Sequence, residues 1–242
     1  MNKVNSTNGK PTTEPPIVGM QCCGLPFRVL NLYACLGGNR YLWDNCEVTA
    51  VELDPELARM YKERFPNDTV IVADAHQYLL DHYKEFDFIW SSPPCPSHSR
   101  ARFWSSKGEN TIPVFPDMTL YQEILFLKHF ALPLQKWVVE NVIPYYEPLI
   151  PAIKRGRHLY WTNFNLPNDL KDRNIKISGT KNEVEYLCEF HKIDLSSYKG
   201  EQRKDKIARN LVDYEAGLTI FNTARGIMEK SNSKQISMWD AV

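Results

Sequence analysis

Two short runs in this chain carry groups suited to covalent chemistry. The first spans Ser91 to Arg100, "SSPPCPSHSR", where the apolar run "FDFIW" breaks into serines, prolines and a thiol. Pro93 and Pro94 fix φ and stiffen the approach to Cys95. The flanking serines offer donors but no apolar cover, whereas a structural cysteine is normally a small buried hydrophobe. A thiol held at a strand end in this way is a candidate nucleophile; the plain alternative is an incidental cysteine in a tight loop. His98 is the nearest base, but nothing in the sequence orients its ring, and it reads as a bystander. The second run is "WVVENVIPYY", in which Glu140 and Asn141 close an apolar strand. A carboxyl is seldom buried without a partner or a task. Partly buried, it is held protonated toward neutral pH and serves as a proton donor. The plain alternative is a salt-bridged glutamate paired with Arg155 or Arg157.

Other groups cluster around these. Lys154, Arg155 and Arg157 precede another apolar strand, and arginine suits carbonyl and phosphate oxygens; a basic cluster in a loop is otherwise a solvated face. After the first apolar strand comes "ACLGGN", whose Gly37 and Gly38 would let a ligand approach the backbone. Glu52 closes the second strand, where an acid accepts hydrogen bonds from a ribose, and Asp74 closes the third. Singly, each acid reads as a cap or a solvated loop residue. Three such features at successive strand ends point to a nucleoside-bearing cofactor. The turn lacks G-x-G-x-x-G spacing, which argues against a nicotinamide-dependent oxidoreductase.

The elements that would position these groups alternate. Strands are expected over 28–36, 47–52, 69–74, 86–91 and 136–141. Helices are expected over 55–65, with Asp54 as N-cap and Pro55 at the first position, over 75–86 and over 118–130. This order predicts an α/β fold, a doubly wound, mostly parallel sheet with helices on both faces. Residues 162–200 turn polar and irregular and read as a small inserted subdomain. An amphipathic helical pattern returns over 201–230.

The order of motifs resembles the DNA cytosine-5 methyltransferases. "NLYACLGG" is similar to the family's first motif and "AVELDPELARMYKERFPN" to its second. "SSPPCPSHS" resembles the Pro-Cys motif, "VVENV" the Glu-Asn-Val motif and "RGRHLYW" the arginine-rich strand. "RKDKIARNLVDYEAGLTIFNTA" resembles the closing motifs. The likeness covers residues 28–161 and about 201–228, and the Pro-Pro-Cys and Glu-Asn-Val motifs, in order and about 45 residues apart, are its most specific part. It implies S-adenosylmethionine as cofactor on a Rossmann-like domain, held by Tyr33, Gly37, Gly38, Glu52, Leu53, Asp74, Pro93 and Asn210. It implies Cys95 as the thiolate that adds to C6 of cytosine and Glu140 as the group that binds and protonates N3. Asn141 would brace the cysteine loop, and Arg157, with Arg155 as runner-up, would hold the O2 side. Ser99, Arg100 and Arg155 would touch nucleic acid around a base flipped out of the duplex. Asn31 and Cys35 stand where the first motif has Asp and Gly; Pro96 and His98 stand where the Pro-Cys motif has Gln and an aromatic. The segment 162–200 occupies the place of the target-recognition region at roughly half its usual length. A second subunit or a homo-oligomer would supplement it.

Bulk composition agrees with this and adds limits. The 242 residues are 43% apolar and 24% charged, the make-up of a globular protein. Lys+Arg and Asp+Glu both number 29, so any basic patch is local. Six cysteines show no zinc-type spacing, so no metal is expected. No run is long enough to span a membrane. Residues 1–27 read as a flexible polar tail and 231–242 as a second tail. With no secretion signal, a cytoplasmic, nucleoid-associated protein of a bacterial or phage-infected cell is expected, within a restriction-modification setting. DNA containing cytosine is the expected partner. The neighbouring readings are RNA or free-nucleotide methylation and a catalytically silent nucleic-acid-binding protein on the same scaffold.

Overall fold

A computed structural model describes residues 26–105, 107, 112–168, 170 and 182–227. Both expected tails lie outside these residues, apart from Pro26 and Phe27. The alternation of apolar runs produces five parallel strands: β1 (Phe27–Leu32), β2 (Cys46–Glu52), β3 (Thr69–Val72), β4 (Phe88–Ser91) and β5 (Lys136–Val142). β6 (Ile153–Arg155) and β7 (His158–Thr162) join as an antiparallel hairpin, giving the order β3-β2-β1-β4-β5-β7-β6. This is the expected α/β, mostly parallel, Rossmann-like sheet, with one antiparallel edge.

The helices are α1 (Pro55–Arg64), α2 (Ala75–His82), α3 (Arg100–Ser105), α4 (Thr119–Phe130), α5 (Glu183–His191), α6 (Lys204–Arg209) and α7 (Tyr214–Ala224). α1 starts as its sequence dictates: the Asp54 carboxylate accepts the amides of Glu56 and Leu57, and Pro55 needs no partner. α2 and α4 cover one face of the sheet through Leu79, Leu120, Ile124 and Leu127, against Leu30, Leu32, Ile89 and Val139. α7 covers the other through Ile220 and Phe221, against Val29, Phe88, Trp90 and Val138.

Two elements differ from the sequence-based expectation. α3 follows directly on the cysteine loop, where no helix is expected. Within the stretch expected to be irregular, residues 183–191 form α5, and its Leu187 is fully buried with Leu195 and Tyr198 against Leu36, Leu57 and Ile207. Its apolar positions are few and interleaved with glutamates, which hides the period. Residues 171–181 lie outside the described residues.

The strand order reverses between β1 and β4. Loops leaving two neighbouring strands in opposite directions open a crevice at their carboxyl ends, the usual ligand position of such sheets. Tyr33 to Gly38 leave β1 there, and Ser92 to Cys95 leave β4.

Candidate active site

The cysteine loop is fixed from two sides. Parallel register pairs Ser91 of β4 with Val139 of β5, so Glu140 and Asn141 continue past the end of β4. Asn141 is buried; its amide donates to the Pro93 carbonyl at 2.9 Å and its oxygen accepts the Val142 amide. Pro93 itself is therefore tied to β5 through its carbonyl. From the far side, the loop is fastened to residues 144–146. Ser99 bridges Pro144, the Tyr145 amide donates to the His98 carbonyl at 3.0 Å, and the Arg100 Nε donates to the Pro144 carbonyl. Phe103 stacks on Tyr145 with centroids 4.3 Å apart.

His98 belongs to this fastening. It is 1% exposed, and its Nδ1 lies 2.6 Å from the Tyr146 hydroxyl. Nε2 has no hydrogen-bond partner among the described residues. Burial depresses its pKa and keeps it neutral. The bystander is thus a strut, filling the aromatic position of the motif with a ring that also hydrogen-bonds.

Cys95 is half-buried, and its Sγ lies 4.0 Å from Oδ1 of Asn210, the C-cap of α6. Asn210, expected at the cofactor, therefore stands at the thiol. Burial, with the charge of Glu140, pushes the thiol up to about 11, and Lys206 pulls weakly the other way. Glu140 is 6% exposed. Among the described residues its ionic contact is neither arginine but His158, with Nε2 at 3.6 Å from Oε1. Antiparallel register makes this so: His158 pairs with Val142 and Tyr160 with Glu140, whereas Arg157 is exposed in the β6–β7 turn. The Arg155 guanidinium turns to the carbonyls of Lys154, Leu166 and Pro167 and to Asn168. Ser99 caps α3, accepting the Arg102 amide and donating to the Pro96 carbonyl.

The expected cofactor residues line the same edge. Glu52 is buried at the end of β2, its carboxylate accepting the amides of Cys35 at 2.8 Å and Asp54 at 3.0 Å. These use about half of a carboxylate's four lone-pair sites, and burial raises its pKa. Leu53 beside it is 66% exposed, an apolar surface at an open edge. Asp74 caps α2 through one oxygen. This acid, apolar side chain and second acid in sequence around a crevice fit a nucleoside. The glycines have a different reason. A Cβ on Gly37, at φ +66°, would meet Phe65 and Tyr61 at 2.5 and 2.7 Å, and one on Gly38 would meet the Val212 carbonyl at 2.5 Å. Both are small because α1 and the segment before α7 press on the turn. Asn31 pairs with Asn39, whose amide donates at 2.8 Å, inside the buried turn.

One part of the chain matches a known sequence family. Residues 27–119 match the family model of the C-5 cytosine-specific DNA methylases. That stretch is similar to the family over less than half of the chain. The matched stretch includes Cys95 and stops short of Glu140, Asn141 and Asn210, which the fold brings to the same crevice from β5 and α6. No curated protein sequence matches significantly. Among solved structures, the methyltransferase EhMeth of Entamoeba histolytica aligns with TM-score 0.47 and 12% identity, over 85% of this chain and 100% of its own. A SAM-dependent methyltransferase of Agrobacterium tumefaciens gives 0.37 and 19%, over 51% and 41%. Dnmt2 of S. pombe gives 0.35 and 18%, over 48% and 34%. The aligned part of this chain thus spans less than half of the last two proteins.

Among the described residues, no group of three or more His, Cys, Asp or Glu is arranged to hold a metal ion, and no helix is long and apolar enough to cross a membrane. Sequence reasoning passed over His158, Glu123 and His76. The first is masked by the adjacent arginines of the motif. Glu123, a carboxylate on the apolar face of α4, was the available signal for the other two.

Proposed function

We propose that the chain methylates C5 of cytosine in DNA through a covalent adduct between Cys95 and C6 of a flipped-out base. The observation that carries the reading is the convergence of Cys95, Glu140 and Asn141 at the neighbouring carboxyl ends of β4 and β5. Cytosine C5 is a poor nucleophile. Attack of the Cys95 thiolate at C6 forms the S–C6 bond and pushes the C5–C6 π electrons toward N3. A proton from Glu140 meets that charge at N3, and C5 becomes enamine-like and nucleophilic. Bound S-adenosylmethionine supplies an electrophilic methyl group. A base, for which solvent water suffices, takes the C5 proton; those electrons re-form the C5–C6 double bond as the thiolate leaves, and the N3 proton returns to Glu140, restoring the aromatic base.

The residues support each demand. At a pKa of about 11 only about one thiol in ten thousand is ionised at pH 7, so the resting cysteine is protected. For Glu140 to donate to N3 it must be protonated. Its neutralisation removes the negative charge that holds the thiol protonated, so substrate binding and thiolate formation favour each other. His158, at Glu140, would face the base's polar edge, in the role otherwise given to Arg157. Glu52 and Leu53, with Asp74, would hold the cofactor's nucleoside, and Tyr33 and Pro93 would border it. Ser99 and Arg100 would lie near the nucleic-acid backbone through α3.

RNA or a free nucleotide is the second reading. The burial of α5 and its following loop against Leu36 and Leu57 favours it, because those residues are not available to read a major groove. Incubation with methyl-labelled S-adenosylmethionine and duplex DNA, RNA or dCMP separates the two. Label in DNA is expected; label in RNA or dCMP alone overturns the DNA reading.

A further inference from the structure

Glu123 lies outside the chemistry described so far. It is fully buried on α4, yet it is a carboxylate. The Tyr33 hydroxyl donates to Oε1 at 2.5 Å, the Ser91 hydroxyl donates to Oε2, and His76 Nδ1 lies 3.1 Å from Oε1. Among the described residues no lysine or arginine pairs with it, and its one ionic partner there is His76. These partners come from three elements: Tyr33 just beyond β1, Ser91 at the end of β4, and His76 in the first turn of α2. All three stand at the carboxyl edge of the sheet, beside Asp74 and across from Glu52 and Leu53.

A buried carboxylate of this kind is costly unless its hydrogen bonds are made. Here they tie together the two strand ends that flank the crevice. The carboxylate also orients one imidazole: with Nδ1 committed to Oε1, the ring's remaining polar atom is Nε2. The His76 side chain is 39% exposed, so it belongs to the open side of the knot while Glu123 does not.

We propose that His76 is a cofactor-contact residue that meets the nucleoside end of S-adenosylmethionine through Nε2, and that Glu123 is its positioning residue. This rests on the cofactor reading of the crevice. Adenine presents ring-nitrogen acceptors, and an imidazolium Nε2–H is a charge-assisted donor to them. The groups facing the ring are Glu123 from α4, Asp74 from the cap of α2, Asp117 ahead of α4 and Tyr33 from the end of β1. The acids hold the imidazole protonated above its ordinary range. Nε2 therefore donates at lower pH and loses its hydrogen as pH rises through the His76 titration, so cofactor affinity falls with rising pH.

Calorimetric titration of the full chain with S-adenosylhomocysteine, from about pH 6 to about pH 9, tests this. Wild-type affinity should fall about tenfold across the range, the worth of one charge-assisted hydrogen bond. His76→Ala should bind about tenfold more weakly at low pH, with a flattened profile. His76→Gln, whose amide donates at any pH, should keep most of the low-pH affinity without the slope, which a merely structural role would not produce. Glu123→Gln should displace the fall to lower pH. Titration of the ligand's own amino group is common to all four proteins and cancels in their ratios. Wild type and His76→Ala binding with equal affinity and equal pH dependence overturns the inference alone. Failure of the wild type to bind S-adenosylhomocysteine overturns the cofactor reading beneath it.

Discussion

Replacing Glu140 by Gln should make Cys95 more reactive toward a small alkylating agent while making the protein a far worse catalyst. The thiol stands at about 11 against an ordinary 9.0, with burial the larger cause and the Glu140 charge the next. Glutamine keeps the size and the burial but removes the charge. A neighbouring like charge of this kind typically moves a pKa by about one unit, about tenfold in thiolate near neutral pH. A thiolate of lower pKa is also intrinsically less nucleophilic, with a Brønsted slope of about 0.4–0.5. The net gain in alkylation rate is therefore about threefold. Site-resolved mass spectrometry after timed iodoacetamide treatment over a pH series reads Cys95 separately from Cys35, whose burial pushes it up to about 12. Methyl transfer by the same variant should fall by about 10²–10⁴, because a neutral amide can donate a hydrogen bond to N3 but cannot release a proton to it. An unchanged or slower alkylation rate at Cys95 would refute the electrostatic link between the two residues. Retention of methyl transfer would refute the proton donor.

Other substitutions test the frame around that pair. Asn141→Ala removes the bond to the Pro93 carbonyl; methyl transfer should fall about a hundredfold, since misplacement by about an ångström costs that much, while calorimetric affinity for S-adenosylhomocysteine stays within about twofold. His158→Ala should lower kcat/KM about tenfold and Arg155→Ala should not, because the first stands at Glu140 and the second is turned to residues 166–168; steady-state kinetics on one substrate compares them. His98 is held neutral, its folded pKa below the ordinary 6.5, so the unfolded chain binds the extra proton and stability is lost as pH falls below about 6.5. In urea unfolding at about pH 5 and about pH 8, His98→Phe should show a smaller difference between the two midpoints than wild type does.

Much of the fold was legible because its signals are local. The Asp54-Pro55 start of α1 and the unbroken apolar runs of β1, β4 and β5 each reflect a single physical demand. Cys95 and Glu140 were placed at strand ends, and the family resemblance joined them with Asn141; the adjacency of β4 and β5 is what brings the three together. Side-chain partnerships were not legible in the same way. Glu140 meets His158 rather than Arg157 because an antiparallel register decides which residue of a hairpin crosses over, and a shift of one residue reverses the face. The glycine turn read as a ligand cradle, but contacts from Tyr61, Phe65 and Val212, distant in sequence, account for its small residues. α5 was missed because Leu187 and Leu195 find their partners in α1 and α6. Asn210 lies 115 residues from Cys95, and only the folded chain shows that the two meet.

The central claim is that Cys95 forms a bond to C6 of cytosine in DNA. Duplex DNA carrying 5-fluorocytosine has no C5 proton to lose, so an enzyme of this mechanism stalls as a covalent complex in the presence of S-adenosylmethionine. Denaturing electrophoresis with peptide mass mapping should show protein joined to DNA through Cys95 in the wild type and none in Cys95→Ser. A wild type that binds S-adenosylhomocysteine and DNA yet forms no adduct, or an adduct that survives Cys95→Ser, would contradict it.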